Sequence, residues 1–188
     1  ATQGIPPSVP SVSTYGQGFT PELPSTSHFS IVDQWGNIVS MTATVENAFG
    51  NRHMAAGFML NNELTDFTFF GVDSKNPPAN VPDGGKRPRS SMAPTIILDE
   101  RGRPVLVIGS AGGNSIIAYV AQSIINVLDW KMTVDQAINT PHFKSQNGPV
   151  ILERNTTAHV LLDPLTAMGH DVQERNMNSG LHGIQIHY

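Results

Sequence analysis

The stretch from Thr26 to Glu46 constrains this chain more than any other. Two alternating runs, Thr26-Ser27-His28-Phe29-Ser30-Ile31-Val32 and Ile38-Val39-Ser40-Met41-Thr42-Ala43-Thr44, flank Asp33-Gln34-Trp35-Gly36-Asn37. A loop of Gln34-Trp35-Gly36 with a left-handed Gly36 fits a type I turn followed by a bulge. That turn pairs Asp33 with Asn37. It sets Phe29 opposite Met41 and Ile31 opposite Val39 on one apolar face. The other face then carries Thr26 opposite Thr44, His28 opposite Thr42 and Ser30 opposite Ser40, with Glu46 one step beyond. A slip of one residue would pair Phe29 with Thr42 and Ile31 with Ser40 and mix the two faces. The register therefore predicts two threonine hydroxyls side by side at the open end of a hairpin.

What surrounds the hairpin is a loop-rich globular chain. Of 188 residues 17 are Gly and 14 Pro, while a hydrophobic share of 39% is enough for a core. A net charge of -4 makes no case for nucleic acid or an anionic membrane surface. No apolar run reaches the roughly 18–20 residues of a membrane span, and no signal-peptide pattern is visible. With no Cys, disulfides, thiol catalysis and thiolate metal sites are excluded.

Residues 1–25 are rich in Pro, Ser, Gly and Thr and read as an extended linker or tail, with the folded domain over 26–188. Residues 47–60 form a loop rich in small residues. Asn61-Asn62-Glu63-Leu64-Thr65-Asp66-Phe67 reads by itself as a solvated turn, and residues 71–88 as a long irregular loop. A second hairpin follows, with strands at 93–98 and 104–108 around Asp99-Glu100-Arg101-Gly102-Arg103. Its residues Ile96, Ile97, Leu98, Val105, Leu106, Val107 and Ile108 predict a sheet covered on both faces. Gly109-Ser110-Ala111-Gly112-Gly113-Asn114 leads into a helix with Ile117, Val120, Ala121, Ile124, Ile125 and Leu128 along one side. Thr133-Val134-Asp135-Gln136 is a capping box opening a second helix that stops before Pro141. A third helix is expected over 161–168 and a last strand over 183–188.

Several chemistries drop out. The seven His are scattered without ligand spacing, so no metal is expected, and nothing calls for a cofactor. No Gly-x-Ser-x-Gly elbow and no phosphate-loop lysine accompany the glycines. A threonine nucleophile remains. Its hydroxyl is feeble unless it heads a chain, where its own α-amine, titrating near about 8, serves as base. That demands cleavage before Thr26, an orienting neighbour, which the register offers as Thr44, and N–H donors for an oxyanion, for which Gly112 and Gly113 are candidates. The alternative is that Thr26 and Thr44 are ordinary β-branched strand residues.

The ordered set Thr26-Ser27-His28-Phe29-Ser30, Asn61-Asn62-Glu63-Leu64-Thr65-Asp66-Phe67, Lys86-Arg87-Pro88-Arg89-Ser90-Ser91-Met92 and Gly109-Ser110-Ala111-Gly112-Gly113 resembles the small, catalytic subunit of the γ-glutamyltranspeptidase family. The resemblance covers residues 26 to about 188. It implies an α+β fold, the small-subunit half of the four-layer αββα sandwich of N-terminal nucleophile hydrolases. It implies autoproteolysis between Ser25 and Thr26, with a large subunit of the same precursor as partner. It further implies acyl transfer from γ-glutamyl amides such as glutathione to water or an amine. Thr26 would be the nucleophile, Thr44 its orienting partner, and Gly112 and Gly113 the oxyanion hole. Ser90 and Ser91 would hold the substrate's α-carboxylate, with Glu46, Glu63 and Asp66 facing its α-amine. A periplasmic or secreted location is expected from the family, with the cytoplasm as the other expectation.

This chain also departs from the family pattern. Arg89 stands where a leucine is usual, beside the paired serines, and Gly50-Asn51-Arg52-His53 replaces a run of small residues. Extra charge near the acyl pocket makes a glutaryl-type cephalosporin acylase the second expectation, and an uncleaved, non-catalytic homologue the third. An Asp-Pro-Arg-like tail, usual in the family, is not found, so a last strand or two of the sheet is expected to be missing or disordered here.

Overall fold

The computed structural model describes residues 25–146 and 148–188. The expected tail over 1–25 lies outside the described residues except for Ser25. The described residues divide into two compact units, one of residues 25–62 with 91–188, the other of residues 63–90.

In the larger unit the chain opens with the hairpin of β1 (Thr26–Val32) and β2 (Ile38–Thr44). Its register is Thr26 opposite Thr44, His28 opposite Thr42, Phe29 opposite Met41 and Ile31 opposite Val39. The turn is held by Asp33, whose Oδ1 accepts the Trp35 and Asn37 N–H groups at 2.9 and 2.8 Å, with Gly36 at φ +85°. These bonds to its charged form hold the Asp33 carboxyl below its usual range, with the Asn37 side chain the largest cause. After β2 comes a two-residue ribbon, β3 (Met54–Ala55) and β4 (Phe58–Met59), in the stretch expected as plain loop.

β5 (Thr95–Leu98) and β6 (Pro104–Gly109) form the second expected hairpin, closed by the same device. Asp99 Oδ1 accepts the Arg101 and Arg103 N–H groups, Gly102 sits at φ +75°, and Arg103 forms an ion pair with Asp99 at 2.8 Å. The expectation that both strands are covered on both faces holds for β6 alone. Leu106, Val107 and Ile108 are fully buried, whereas Ile96 and Leu98 are 42% and 55% exposed. The reason is position. β6 lies between β5 and the last strand in a three-stranded sheet, leaving β5 as the edge.

α1 (Ile116–Leu128) follows a short 3₁₀ turn over Gly113–Ser115, and α2 (Val134–Ile138) carries the expected capping box, with Thr133 Oγ1 accepting from Gln136 N–H and Gln136 Oε1 from Thr133 N–H. The buried face of α1 is Ile116, Tyr119, Val120, Ser123, Asn126 and Val127. The predicted stripe was rotated, since Ile117 and Ile125 are exposed. With apolar residues on both sides of the helix, periodicity could not say which side the sheet would take. The sheet took the side with Tyr119, because Leu106 and Ile108 of β6 pack there with Ile116, Val120 and Val127 into one core.

β7 (Phe143–Lys144), β8 (Val150–Glu153) and β9 (Val172–Arg175) make a separate sheet, with β8 and β9 parallel and linked through a 3₁₀ turn and α3 (Leu162–Ala167). β10 (His182–Gln185) closes the chain against β6. In the smaller unit, Glu63–Asp66 is a 3₁₀ turn rather than a solvated bend: Asp66, Phe67 and Thr68 are all buried.

The burial difference between β6 and β5 has a measurable outcome. Leu106→Ala should cost about 2–5 kcal/mol by chemical denaturation, and Leu98→Ala less than about 1 kcal/mol.

Candidate active site

Thr26 heads β1 and Thr44 ends β2, so the register alone places their side chains as neighbours on one face. The Thr44 hydroxyl accepts the Glu46 N–H at 2.8 Å and donates to the Ser25 carbonyl at 3.4 Å. It therefore reaches the peptide bond that joins Ser25 to Thr26. Glu46 adopts a left-handed backbone, φ +72°, which a non-glycine residue enters at a cost. The following loop is pinned: Asn47 N–H donates to Asn62 Oδ1 and Asn62 N–H to the Val45 carbonyl.

The polar face of the hairpin points into the unit. His28 is buried, with Nδ1 2.8 Å from Thr42 Oγ1 and Nε2 3.1 Å from Ser30 Oγ. Its ring lies against Gly109, where a Cβ would come within 2.2 Å of the imidazole, so only glycine fits. Ser40 adds a hydroxyl bond to the Ile108 carbonyl at 3.3 Å. Burial lowers the His28 pKa and the neighbouring His182 lowers it further. The strand bearing Thr26 is thus fastened two residues later to the strand that runs into Gly112 and Gly113.

Beyond Gly109 the loop is braced from behind. Ser110 is fully buried, its hydroxyl donating to the Ala111 carbonyl and accepting the Gly180 N–H at 3.2 Å. Ala111 and Gly180 exchange backbone bonds at 3.4 Å. Gly112 has φ +132° and Gly113 φ +57°. A Cβ on Gly112 would lie 2.6 Å from the Tyr119 ring, so this position too is closed to larger residues. Tyr119 packs on His142, ring centroids 4.5 Å apart, and His142 Nε2 lies 3.1 Å from Ser179 Oγ. Burial lowers the His142 pKa, against a smaller upward pull from Glu153.

The smaller unit holds Glu63, Asp66, Arg89 and Ser90; Ser91 belongs to the larger. There Asn80 ties the segments together. Its Nδ2 donates to the Asp66 carbonyl at 2.6 Å, its Oδ1 accepts the Arg89 N–H at 3.0 Å, and its carbonyl accepts Thr68 N–H at 2.8 Å. The sequence marks neither Asn80, His142 nor Gly180, and it places His28 on the polar face and Ser110 in a motif without giving either its buried bracing role. The one available signal was His28, a titratable residue on a face otherwise made of Thr and Ser.

The family model described as Gamma-glutamyltranspeptidase matches residues 3–188. The chain belongs to the γ-glutamyltranspeptidase family. The glutathione hydrolase proenzyme of Bacillus subtilis (strain 168) is 38% identical over 147 residues, 77% of this chain and 24% of that protein. The putative inactive glutathione hydrolase 4 of Arabidopsis thaliana is 37% identical over 135 residues, 68% of this chain and 70% of that protein. A mutant of Helicobacter pylori γ-glutamyltranspeptidase superposes with a TM-score of 0.73 at 35% identity, covering 85% of this chain and 90% of that one. The Bacillus halodurans cephalosporin acylase shares the fold at TM-score 0.66 and 21% identity, covering 88% of this chain and 30% of that one. The chain spans about a quarter of the length of the glutathione hydrolase proenzymes it matches, among them that of Bacillus subtilis. Its fold class is the α+β small-subunit half of the αββα N-terminal nucleophile hydrolase sandwich.

Both buried histidines have folded pKa values below the ordinary histidine value of about 6.5. The unfolded chain therefore binds more protons near and below pH 6.5, and stability falls as pH drops from that value toward the folded pKa. Thermal melts from pH 7.5 to 5 should show this loss, and His142→Gln should flatten it.

Proposed function

We propose that the chain is the catalytic part of an enzyme that transfers γ-glutamyl groups from glutathione-like amides to water or an amine, through an ester on Thr26. The observation that carries this reading is the Thr44 hydroxyl donating to the Ser25 carbonyl beside Thr26. In autoproteolysis Thr26 Oγ1 attacks the Ser25 carbonyl carbon, and Thr44 stabilises the oxyanion. As the Ser25–Thr26 C–N bond breaks, the Thr26 hydroxyl proton passes to the departing nitrogen, leaving an ester on Thr26 and a free α-amine. Water hydrolyses the ester and releases Ser25 as a carboxylate.

In turnover the new α-amine takes the Thr26 hydroxyl proton as Oγ1 attacks the γ-carbonyl. The Gly112 and Gly113 N–H groups receive the oxyanion. The amine leaving group departs with the proton, and water or an acceptor amine, deprotonated by the same α-amine, releases the acyl group. Ser90 and Ser91 donate to the substrate's α-carboxylate, with Arg89 next to them, and Glu46, Glu63 and Asp66 receive its ammonium. Hydroxyl donors suit the anion and carboxylates the cation.

The partner is the large subunit of the same precursor. Phe29, Ile31, Val39 and Met41, the apolar face of the hairpin, are each 40–50% exposed. Such a contiguous patch suits burial by another chain. The relatives called proenzymes support processing, and we place the protein in the periplasm or outside the cell. Among the described residues no helix is long and apolar enough to cross a membrane. A glutaryl-type acylase is the second reading, on the charge of Arg89 beside Ser90.

The test uses the full precursor. Intact-mass analysis should find a new chain beginning at Thr26, and none from Thr26→Ala. Thr44→Ala should slow that cleavage on the order of a hundredfold. γ-Glutamyl anilides should turn over faster than glutaryl anilides; the reverse preference would select the acylase, and an intact precursor with no turnover would refute both.

A further inference from the structure

A cavity of about 280 Å³ opens beside Gly112, lined also by Asn114, Ser115, Tyr119, Lys144 and Arg175. A neighbouring cavity of similar volume shares Asn114, Lys144, Ile151 and Arg175 with it. The Lys144 ammonium is fixed in place, donating to Asn114 Oδ1 at 2.9 Å and Ser115 Oγ at 2.7 Å. Arg175 donates through one Nη2 to Gln173 Oε1, and its guanidinium offers further donors in a rigid fork. Gln146 Nε2 holds the Asn114 carbonyl at 2.7 Å. Two cations therefore face one hollow. Among the described residues lining either cavity none is Asp or Glu. Glu153, the acidic group acting on Tyr119, has its carboxylate on the His142 N–H at 2.8 Å.

Lys144, on β7, sets its ammonium on Ser115, the residue before α1, at the positive end of the helix, where a cation is disfavoured and an anion stabilised. A hollow that gathers like charges in this way is complementary to an anion. The Arg fork matches the two oxygens of a carboxylate, and the volume fits a small molecule rather than a chain.

We propose that Lys144 and Arg175 form a carboxylate-binding site beside the Gly112 loop. Its ligand is a small carboxylate, either the free carboxylate of the acceptor or leaving portion, or a separate carboxylate in solution. The first source rests on the γ-glutamyl transfer reading; the second does not. Either way, a bound carboxylate bridges Lys144 to Arg175 and so links β9 to the segment Asn114-Ser115 that follows the two glycines.

Ligand-observed NMR titration of the two-subunit protein tests this, with glycylglycine, glycylglycinamide and acetate as probes. Glycylglycine should bind at least tenfold more tightly than its amide, and Lys144→Gln and Arg175→Gln should each weaken it about tenfold. Arg175 is exposed, so its variant folds whatever Lys144 contributes to the helix start. Acetate displacing glycylglycine and binding comparably would identify a separate carboxylate as sufficient. Failure of acetate to compete would identify the acceptor. Equal binding of glycylglycine and its amide, or unchanged binding in both variants, would overturn the site. Because binding is read without turnover, a protein inactive on γ-glutamyl anilides would refute the functional reading and leave this result intact.

Discussion

The close approach of His28 to Gly109 is the contact on which the larger unit depends. It leaves no room for a methyl group between imidazole and backbone. Through it the polar side of the first hairpin, rather than the apolar side, becomes the buried one. That inverts the usual arrangement of a half-exposed sheet. The cost is met by satisfying every polar group that goes inside: both ring nitrogens of His28 on hydroxyls, Ser40 on the Ile108 carbonyl. What the arrangement yields is a fixed relation between the first residue of β1 and the loop beyond β6.

The same economy holds behind that loop. Ser110 and Ala111 both meet the Gly180 backbone, Gly112 meets the Tyr119 ring, and Tyr119 packs on His142. Gly180 could not carry a Cβ without meeting Ala111, and Gly112 could not without meeting Tyr119. Left-handed backbone at two successive glycines is held by such surroundings rather than by its own preference.

Local patterns were legible where one interaction decides the structure. The register of β1 and β2 followed from face purity and turn chemistry, and the Thr133–Gln136 box from reciprocal capping. Patterns failed where a third element decides. Ile96 and Leu98 looked like buried strand residues, but being at the edge is a property of the sheet. Ile117 and Ile125 looked like the inward face of α1, but two apolar sides compete and only the position of β6 chooses. Glu63–Asp66 looked solvated because its polarity is visible in sequence and the burial of Asp66, Phe67 and Thr68 is not. Asn80, His142 and Gly180 carry no motif at all; their importance comes from partners far along the chain. In the candidate site, Thr26, Thr44, Gly112 and Gly113 could be picked out by chemistry and spacing. Glu46, Ser90 and Asp66 needed the family pattern.

The bond from Thr44 to the Ser25 carbonyl spans the last residue of one strand and the residue before the first of another. It exists only when the hairpin is closed in one register: a one-residue slip carries Thr44 to the opposite face, and a two-residue slip carries it away from Ser25. On the proposed chemistry, cutting the chain is then conditional on correct assembly, and the cut cannot be undone. Such a molecule keeps a permanent chemical record that it once folded properly. A misfolded copy stays in one piece, and the α-amine that would serve as its base stays masked as an amide.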